Sequence, residues 1–249
     1  ERLDVKRAVY AEIEGANREA LIASSTSGFK PSDLQAEMAT PERLIVAHPF
    51  NPVYLLPLVE LVSGGRTEPV RIDTARETFA AIGMHPLHIR REIDAFVADR
   101  LMEALWREAL WLVHDGIATA GEIDDAIRYG CGLRWAQMGT FQVFDIAGGE
   151  QGMRHFMAQF GPALKWPWTK LMDTPEMDAA LVDRIASQVA DQAAGRDFRA
   201  LERIRDDNLV AILHALKGTG WGAGRTLAEH ENRLLSLVAP AAAPAIEQP

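Results

Sequence analysis

A histidine that closes an apolar run and a glutamate twelve positions later, His48 and Glu60, are the residues of this sequence best suited to moving a proton. An imidazole takes and releases protons near neutral pH, which is what a general base must do. A carboxylate on its second ring nitrogen fixes the tautomer and stabilises the imidazolium once formed. Ser27 upstream and Asn51 just beyond His48 add a hydroxyl and an amide able to hydrogen-bond a reacting alcohol and the carbonyl it becomes. The plain alternative is a histidine satisfied in a turn beside a solvated glutamate.

Other chemistries find little support. No His-Glu-x-x-His, no histidine pair at metal-ligand spacing and no Gly-x-Ser-x-Gly elbow occurs in the sequence. Cys131 is the single cysteine, which excludes an internal disulfide and a cysteine-built metal site, and favours a reducing, cytoplasmic compartment. The net charge of -9 argues against a phosphate-tracking surface for nucleic acid or an acidic membrane. The longest apolar stretch, Phe96 to Val113, carries Asp99, Arg100, Glu103, Arg107 and Glu108, so it reads as a soluble helix and not a membrane span. A chain of 249 residues, 48% hydrophobic and 24% charged, can bury a sizeable core.

The elements that must position these residues fall into two kinds. Leu3, Val5, Ala8, Val9 and Ile13 keep helical spacing up to Gly15 and Asn17, and Leu21-Ile22-Ala23 then starts a short strand. That strand runs into the hydroxyl-rich turn Ser24-Ser25-Thr26-Ser27-Gly28, whose hydroxyls serve either as caps or as a binding surface. A connection over Pro31 to Arg43 leads to the strand Leu44 to Ala47 and His48; a second apolar run carries Glu60 and stops at Gly64-Gly65. Asp73 or Thr74 is expected to cap a helix through Ile82, with Met84 to Ile89 as a further strand. This alternation predicts a parallel α/β sheet over residues 1–92, with His48 and Glu60 meeting at its carboxyl edge.

From Ile93 the period changes to that of a helix. A helix of about 20 residues is expected to include Ala95, Phe96, Leu101, Met102, Leu105, Trp106, Ala109, Leu112 and Val113, a stripe too wide for one contact. Thr119 and Glu122 form a capping box, Asp173 or Thr174 is expected to open a helix closing at Gly195, and Asp197 opens one through Lys217. A further helix is expected beyond Arg225, and the helical domain is placed at residues 93–238, with a Pro/Ala-rich tail or linker over 239–249. Broad apolar helix faces suggest a homodimer built through this domain. The one Gly-x-Gly-x-x-Ala match, Gly218 to Ala223, follows a helix instead of a strand and is read as a helix stop. A phosphate-binding glycine loop is therefore expected before Glu1, with residues 1–92 as the later part of a dinucleotide fold.

Order and spacing together, from Ser27 through His48-Pro49-Phe50-Asn51-Pro52, Val59-Glu60-Leu61-Val62 and Ala98-Asp99-Arg100 to Gly132-Leu133-Arg134-Trp135-Ala136-Gln137-Met138-Gly139, resemble the 3-hydroxyacyl-CoA dehydrogenase superfamily. The resemblance covers nearly the whole chain, and the stretch Trp106 to Trp111 is most similar to its carnitine-oxidising branch. It implies a Rossmann-type NAD-binding domain joined to a helical dimerisation domain like the 6-phosphogluconate dehydrogenase C-terminal domain. It also implies NAD as cofactor, with Ser25, Thr26 and Ser27 on the cofactor side. By the same resemblance His48 acts on the substrate hydroxyl, Glu60 pairs with it, and Ser27 and Asn51 contact reacting groups. Members usually carry asparagine where this chain has Asp99 and glycine where it has Ala95; a carboxylate cannot donate the amide hydrogen bond.

For carnitine the expected contacts are aromatic faces around the trimethylammonium and an arginine fork on the carboxylate. Trp135, Phe141, Phe144, Trp166 and Trp168, with Arg134 among them and Asp99 or Asp145 as negative charge, supply those types. The alternatives are oxidation of L-gulonate or of a 3-hydroxyacyl-CoA, or a catalytically silent dimer of the same fold.

Overall fold

The computed structural model describes residues 2–136, 138–162, 176 and 178–238. Short aliphatic runs become the four strands: β1 (Ile22–Ser24), β2 (Leu44–Pro49), β3 (Leu58–Ser63) and β4 (His85–Ile89) form one sheet in that order. β1 pairs parallel with β2, and β3 parallel with β4, but β2 and β3 run antiparallel. The expected all-parallel sheet is thus mixed. The reason lies in chain length, because the link from Phe50 to Pro57 is shorter than the dozen or more residues a parallel crossover needs.

Helices flank these strands: α1 (Leu3–Ala16), α2 (Pro31–Gln35) and α3 (Pro69–Ala81), the last bridging β3 and β4. The start of α3 corrects the expected cap at Asp73 or Thr74. Pro69 occupies the first helical position, where its missing N–H costs nothing, and the Thr74 hydroxyl bonds back to the Val70 carbonyl from inside the helix.

Strand alternation decides what faces what. Ile45 and Ala47 of β2 with Val59 and Leu61 of β3 pack on Ile72 and Ala75 of α3, joined by Leu21, Phe79 and Met84. The intervening residues, Val46 and His48 with Glu60 and Val62, therefore point to the opposite face. Ser24 shares that opposite face through its pairing with Val46, and its hydroxyl accepts a 2.7 Å hydrogen bond from the buried Tyr10 of α1.

The turn between α1 and β1 is tied to the start of β2 by a buried cation. Arg43, 1% exposed, donates to the carbonyls of Asn17 and Ala20 at 2.8 and 2.9 Å and to the Thr40 hydroxyl at 2.9 and 2.7 Å. That hydroxyl in turn donates to Glu14 at 2.6 Å. Burial alone would raise the Glu14 carboxyl, but hydrogen bonds from Thr40 and Ala39 with the Arg43 charge outweigh it and hold the group below the usual carboxylate range.

The described residues divide into two compact units, one within 2–26, 31–91 and 213–238 around the sheet, the other within 27–30 and 92–212. The second is helical: α4 (Ala98–His114), α5 (Ala120–Ala126), α6 (Gly132–Trp135), α7 (Thr140–Ala147), α8 (Gly152–Phe160) and α9 (Ala179–Ala193). α10 (Phe198–Thr219) begins in this unit and ends in the sheet unit, to which α11 (Gly222–Val238) belongs.

Two helix starts differ from expectation. Ala95 and Phe96 lie outside α4, with φ of 58° and 49°, so the helix opens at Ala98. α9 opens after Asp178, whose carboxylate accepts the Leu181 N–H at 2.8 Å, while Asp173 and Thr174 lie outside the described residues. The Thr119–Glu122 capping box of α5 is formed in both directions. No helix among the described residues is long and apolar enough to cross a membrane.

Candidate active site

His48 is the fifth residue of β2 and Glu60 the third of β3, and the antiparallel register sets them directly opposite one another. Directly paired residues on one face of such a ladder bring their side chains within reach, and His48 Nδ1 lies 3.0 Å from Glu60 Oε2. Their meeting point is a cross-strand pair and not the shared carboxyl edge of two parallel strands, a consequence of the short β2–β3 link. His48 is 6% exposed and Glu60 is wholly buried. A buried carboxylate is costly unless paired, so this contact explains how Glu60 can sit between Val59 and Leu61 inside the sheet. Phe50 meets the His48 ring edge-on, centroids 6.5 Å apart at 80°, and its N–H donates to Leu58 at 3.1 Å, which extends the β2–β3 pairing into the turn.

Asn51 follows Phe50 in that turn, exposed and ahead of a cis bond to Pro52. Ser25, Thr26 and Ser27 follow β1, whose parallel pairing with β2 puts the carboxyl ends of the two strands at one edge. Thr26 is fully buried, whereas Ser25 and Ser27 are exposed. Hydroxyls at the carboxyl edge of a nucleotide-type sheet match, in donor chemistry, the ribose hydroxyls and carboxamide of a nicotinamide.

The remaining expected residues are in the helical unit. Asp99, half-buried, occupies the first turn of α4, where the helix dipole favours a negative charge. Arg134 and Trp135 end α6, just beyond a π-helical turn at Ile127–Cys131, and Trp135 is 42% exposed. Phe144 stacks on Phe156 at 4.7 Å and 12°, and Phe156 lies 4.8 Å from Phe160. The pair Phe156 and Phe160, four residues apart on α8, was not among the sequence candidates; their helical spacing was the available signal. Asp145 caps α8 by accepting the Met153 N–H at 2.7 Å, a local role that accounts for its carboxylate. Phe141 is largely exposed, and Trp166 and Trp168 lie outside the described residues. Among the described residues there is no metal-holding group of three or more His, Cys, Asp or Glu.

Comparison with known proteins supplies a second line. Residues 1–93 match the sequence model of the 3-hydroxyacyl-CoA dehydrogenase NAD binding domain, and residues 96–193 that of the 3-hydroxyacyl-CoA dehydrogenase C-terminal domain. The L-carnitine dehydrogenase of Mesorhizobium japonicum is 62% identical over 245 residues, covering 96% of this chain and 67% of that protein. A Rhizobium meliloti protein named L-carnitine dehydrogenase/betainyl-CoA thioesterase is 62% identical over 239 residues, 94% of this chain and 48% of its own length. The chain thus spans about two thirds of the first relative and about half of the second. Among solved structures, the NAD+-dependent 5-formyl-3-hydroxy-2-methylpyridine 4-carboxylic acid 5-dehydrogenase is similar with a TM-score of 0.70 at 25% identity, over 88% of this chain and 71% of that one.

Proposed function

Because the chain belongs to the 3-hydroxyacyl-CoA dehydrogenase family, we propose that it catalyses NAD-dependent oxidation of the 3-hydroxyl of L-carnitine to 3-dehydrocarnitine. The observation that carries the reading is the buried 3.0 Å contact between His48 Nδ1 and Glu60 Oε2. With Nδ1 directed at the carboxylate, Nε2 is the nitrogen that takes the substrate's hydroxyl proton, and Glu60 stabilises the resulting imidazolium. NAD, when bound, would supply the acceptor for the carbon-bound hydrogen, which would leave with its electron pair as hydride. Ser25, Thr26 and Ser27 would hold the cofactor's nicotinamide end, and Ser27 and Asn51 would hydrogen-bond the oxygen as it passes from alcohol to ketone. Neither role needs a metal.

The substrate's fixed charge falls to the helical unit. A trimethylammonium has no donor hydrogens, so it is held by aromatic faces, at up to about 2 kcal/mol per desolvated contact. Trp135 and Phe144, with Trp166 and Trp168 by sequence position, supply such faces, Asp99 supplies negative charge, and Arg134 forks the carboxylate. The names of the Mesorhizobium and Rhizobium relatives support this substrate. The apolar faces of the helical unit support a homodimer formed through it.

The test is NADH formation by the complete protein offered L-carnitine, D-carnitine, L-gulonate and 3-hydroxybutyryl-CoA in parallel, repeated with His48→Ala. Turnover is expected with L-carnitine alone, falling by roughly two or more orders of magnitude in the variant while NAD affinity is kept. Absence of turnover with L-carnitine removes the substrate; a variant with full turnover removes His48 as the base.

A further inference from the structure

Next to the catalytic turn, with Phe50 in its lining and His48 not, the sheet unit contains a pocket of about 370 Å³ that the reaction just described does not use. It is formed by the β2–β3 link (Phe50, Leu56, Pro57), the first residues of β3 and β4 (Leu58, His85) and the opening turn of α11 (Gly222, Ala223, Arg225, Thr226). Its volume falls in the range of small-molecule sites. The walls are largely apolar, from Phe50, Leu56, Pro57, Leu58 and Ala223.

Each polar side chain at the pocket can donate a hydrogen bond, and one of them, Arg225, carries a fixed positive charge. The Arg225 guanidinium donates and never accepts, while the Thr226 hydroxyl and the His85 ring can each donate. Among the described residues no acid lines the pocket, although the chain as a whole carries nine more acidic than basic residues. The nearest carboxylate paired with Arg225 is that of Glu229, one helical turn on, at 3.9 Å with both side chains mostly exposed, a contact of little strength. Apolar walls with donors at one side suit a molecule with a hydrocarbon body and one anionic end. A zwitterion with a quaternary ammonium suits it poorly, since its cation would lie against Arg225 without a compensating acid.

We propose that this pocket binds a small amphipathic monocarboxylate, with its chain against Phe50, Leu56 and Leu58 and its carboxylate on Arg225 and Thr226. Because Phe50 forms one wall and also meets the His48 ring, the pocket adjoins the catalytic turn. The site does not depend on which alcohol the enzyme oxidises.

Titration calorimetry of hexanoate into the complete protein with NAD, with hexanol as the uncharged control, tests the proposal. Hexanoate is expected to bind saturably, hexanol at least tenfold more weakly, and Arg225→Gln to weaken hexanoate binding at least tenfold. A second variant, Ala223→Leu, fills the pocket from the first turn of α11 without touching its charge, and it is expected to abolish binding while L-carnitine turnover in the absence of hexanoate stays as in the parent. Absence of saturable binding overturns the proposal, as does hexanoate binding that Arg225→Gln or Ala223→Leu leaves intact; competitive displacement by L-carnitine would place that hexanoate at the catalytic site instead.

Discussion

Replacing one carboxylate oxygen of Glu60 by an amide nitrogen changes the charge of the buried pair while keeping its volume, so Glu60→Gln separates electrostatics from packing. The amide oxygen can still accept from His48 Nδ1, so the ring keeps its orientation. What disappears is the negative charge that stabilises the imidazolium as the substrate proton arrives. We expect kcat and kcat/KM to fall together by about a hundredfold, with NAD affinity unchanged, because the lost interaction is made only during proton transfer. Stability should fall by about 1–3 kcal/mol, the usual cost of weakening a buried charged hydrogen bond. Pre-steady-state NADH formation at saturating L-carnitine reads the chemical step directly; a kcat within threefold of the parent would show that Glu60 only supports the strand. His48 and Glu60 were the most legible residues of the site, because an ionisable group inside each of two apolar runs needs a partner. Phe156 and Phe160 were harder to see, since aromatic residues at helical spacing usually signal a core and nothing in their spacing names a partner on the preceding helix.

Between elements, the residues that open α4 are the ones whose backbone is least expected from their identity. Ala95 and Phe96 both have positive φ, a region that costs a residue with a Cβ about 1–2 kcal/mol. Their side chains differ in consequence, because Phe96 is fully buried while Ala95 is partly exposed. Ala95→Gly should relieve the steric cost, offset by about 0.4–1 kcal/mol from the greater freedom of glycine in the unfolded chain, for a net gain of about 0.5 kcal/mol. Phe96→Gly relieves the same backbone and should still destabilise by about 3 kcal/mol or more through the lost burial. Chemical denaturation of both variants checks the pair, and a destabilising Ala95→Gly would contradict the steric account. A helical period cannot report φ at its first residues, which is why apolar spacing ran the helix back through Ala95 and Phe96. The same limit applied to α3, where Pro69 marked the start more reliably than the acid at Asp73. The antiparallel β2–β3 pairing was legible in principle, since the length of the Phe50 to Pro57 link excludes a crossover, but alternation of helix and strand alone does not reveal strand direction.

On the scale of the whole molecule, the sheet unit packs its core on α3, and in the helical unit α4 leaves apolar rows uncovered. On α4, Leu101 and Leu105 form one i,i+4 row and Met102 and Trp106 the next, with exposures of 66%, 43%, 52% and 58%. Two adjacent rows make a continuous stripe, unlike the scattered single hydrophobic residues that any soluble surface carries. A polar helix would need no second copy, but a stripe of this kind gains about 25 cal/mol per Å² when covered, and a stable dimer covers roughly 800 Å² on each partner. A two-fold interface lets the same stripe serve on both copies, so no second complementary surface is required. The complete protein is therefore expected to be a dimer by light scattering after size exclusion, at micromolar concentration. Leu105→Glu with Trp106→Glu, which puts two charges at the centre of the stripe and again at its symmetry mate, should shift it to monomer. NAD affinity should be retained by that monomer, because the sheet and its Ser25–Ser27 turn are not built from α4. A parent protein that is monomeric, or a double variant that stays dimeric, would assign the uncovered rows of α4 to contacts within a single chain.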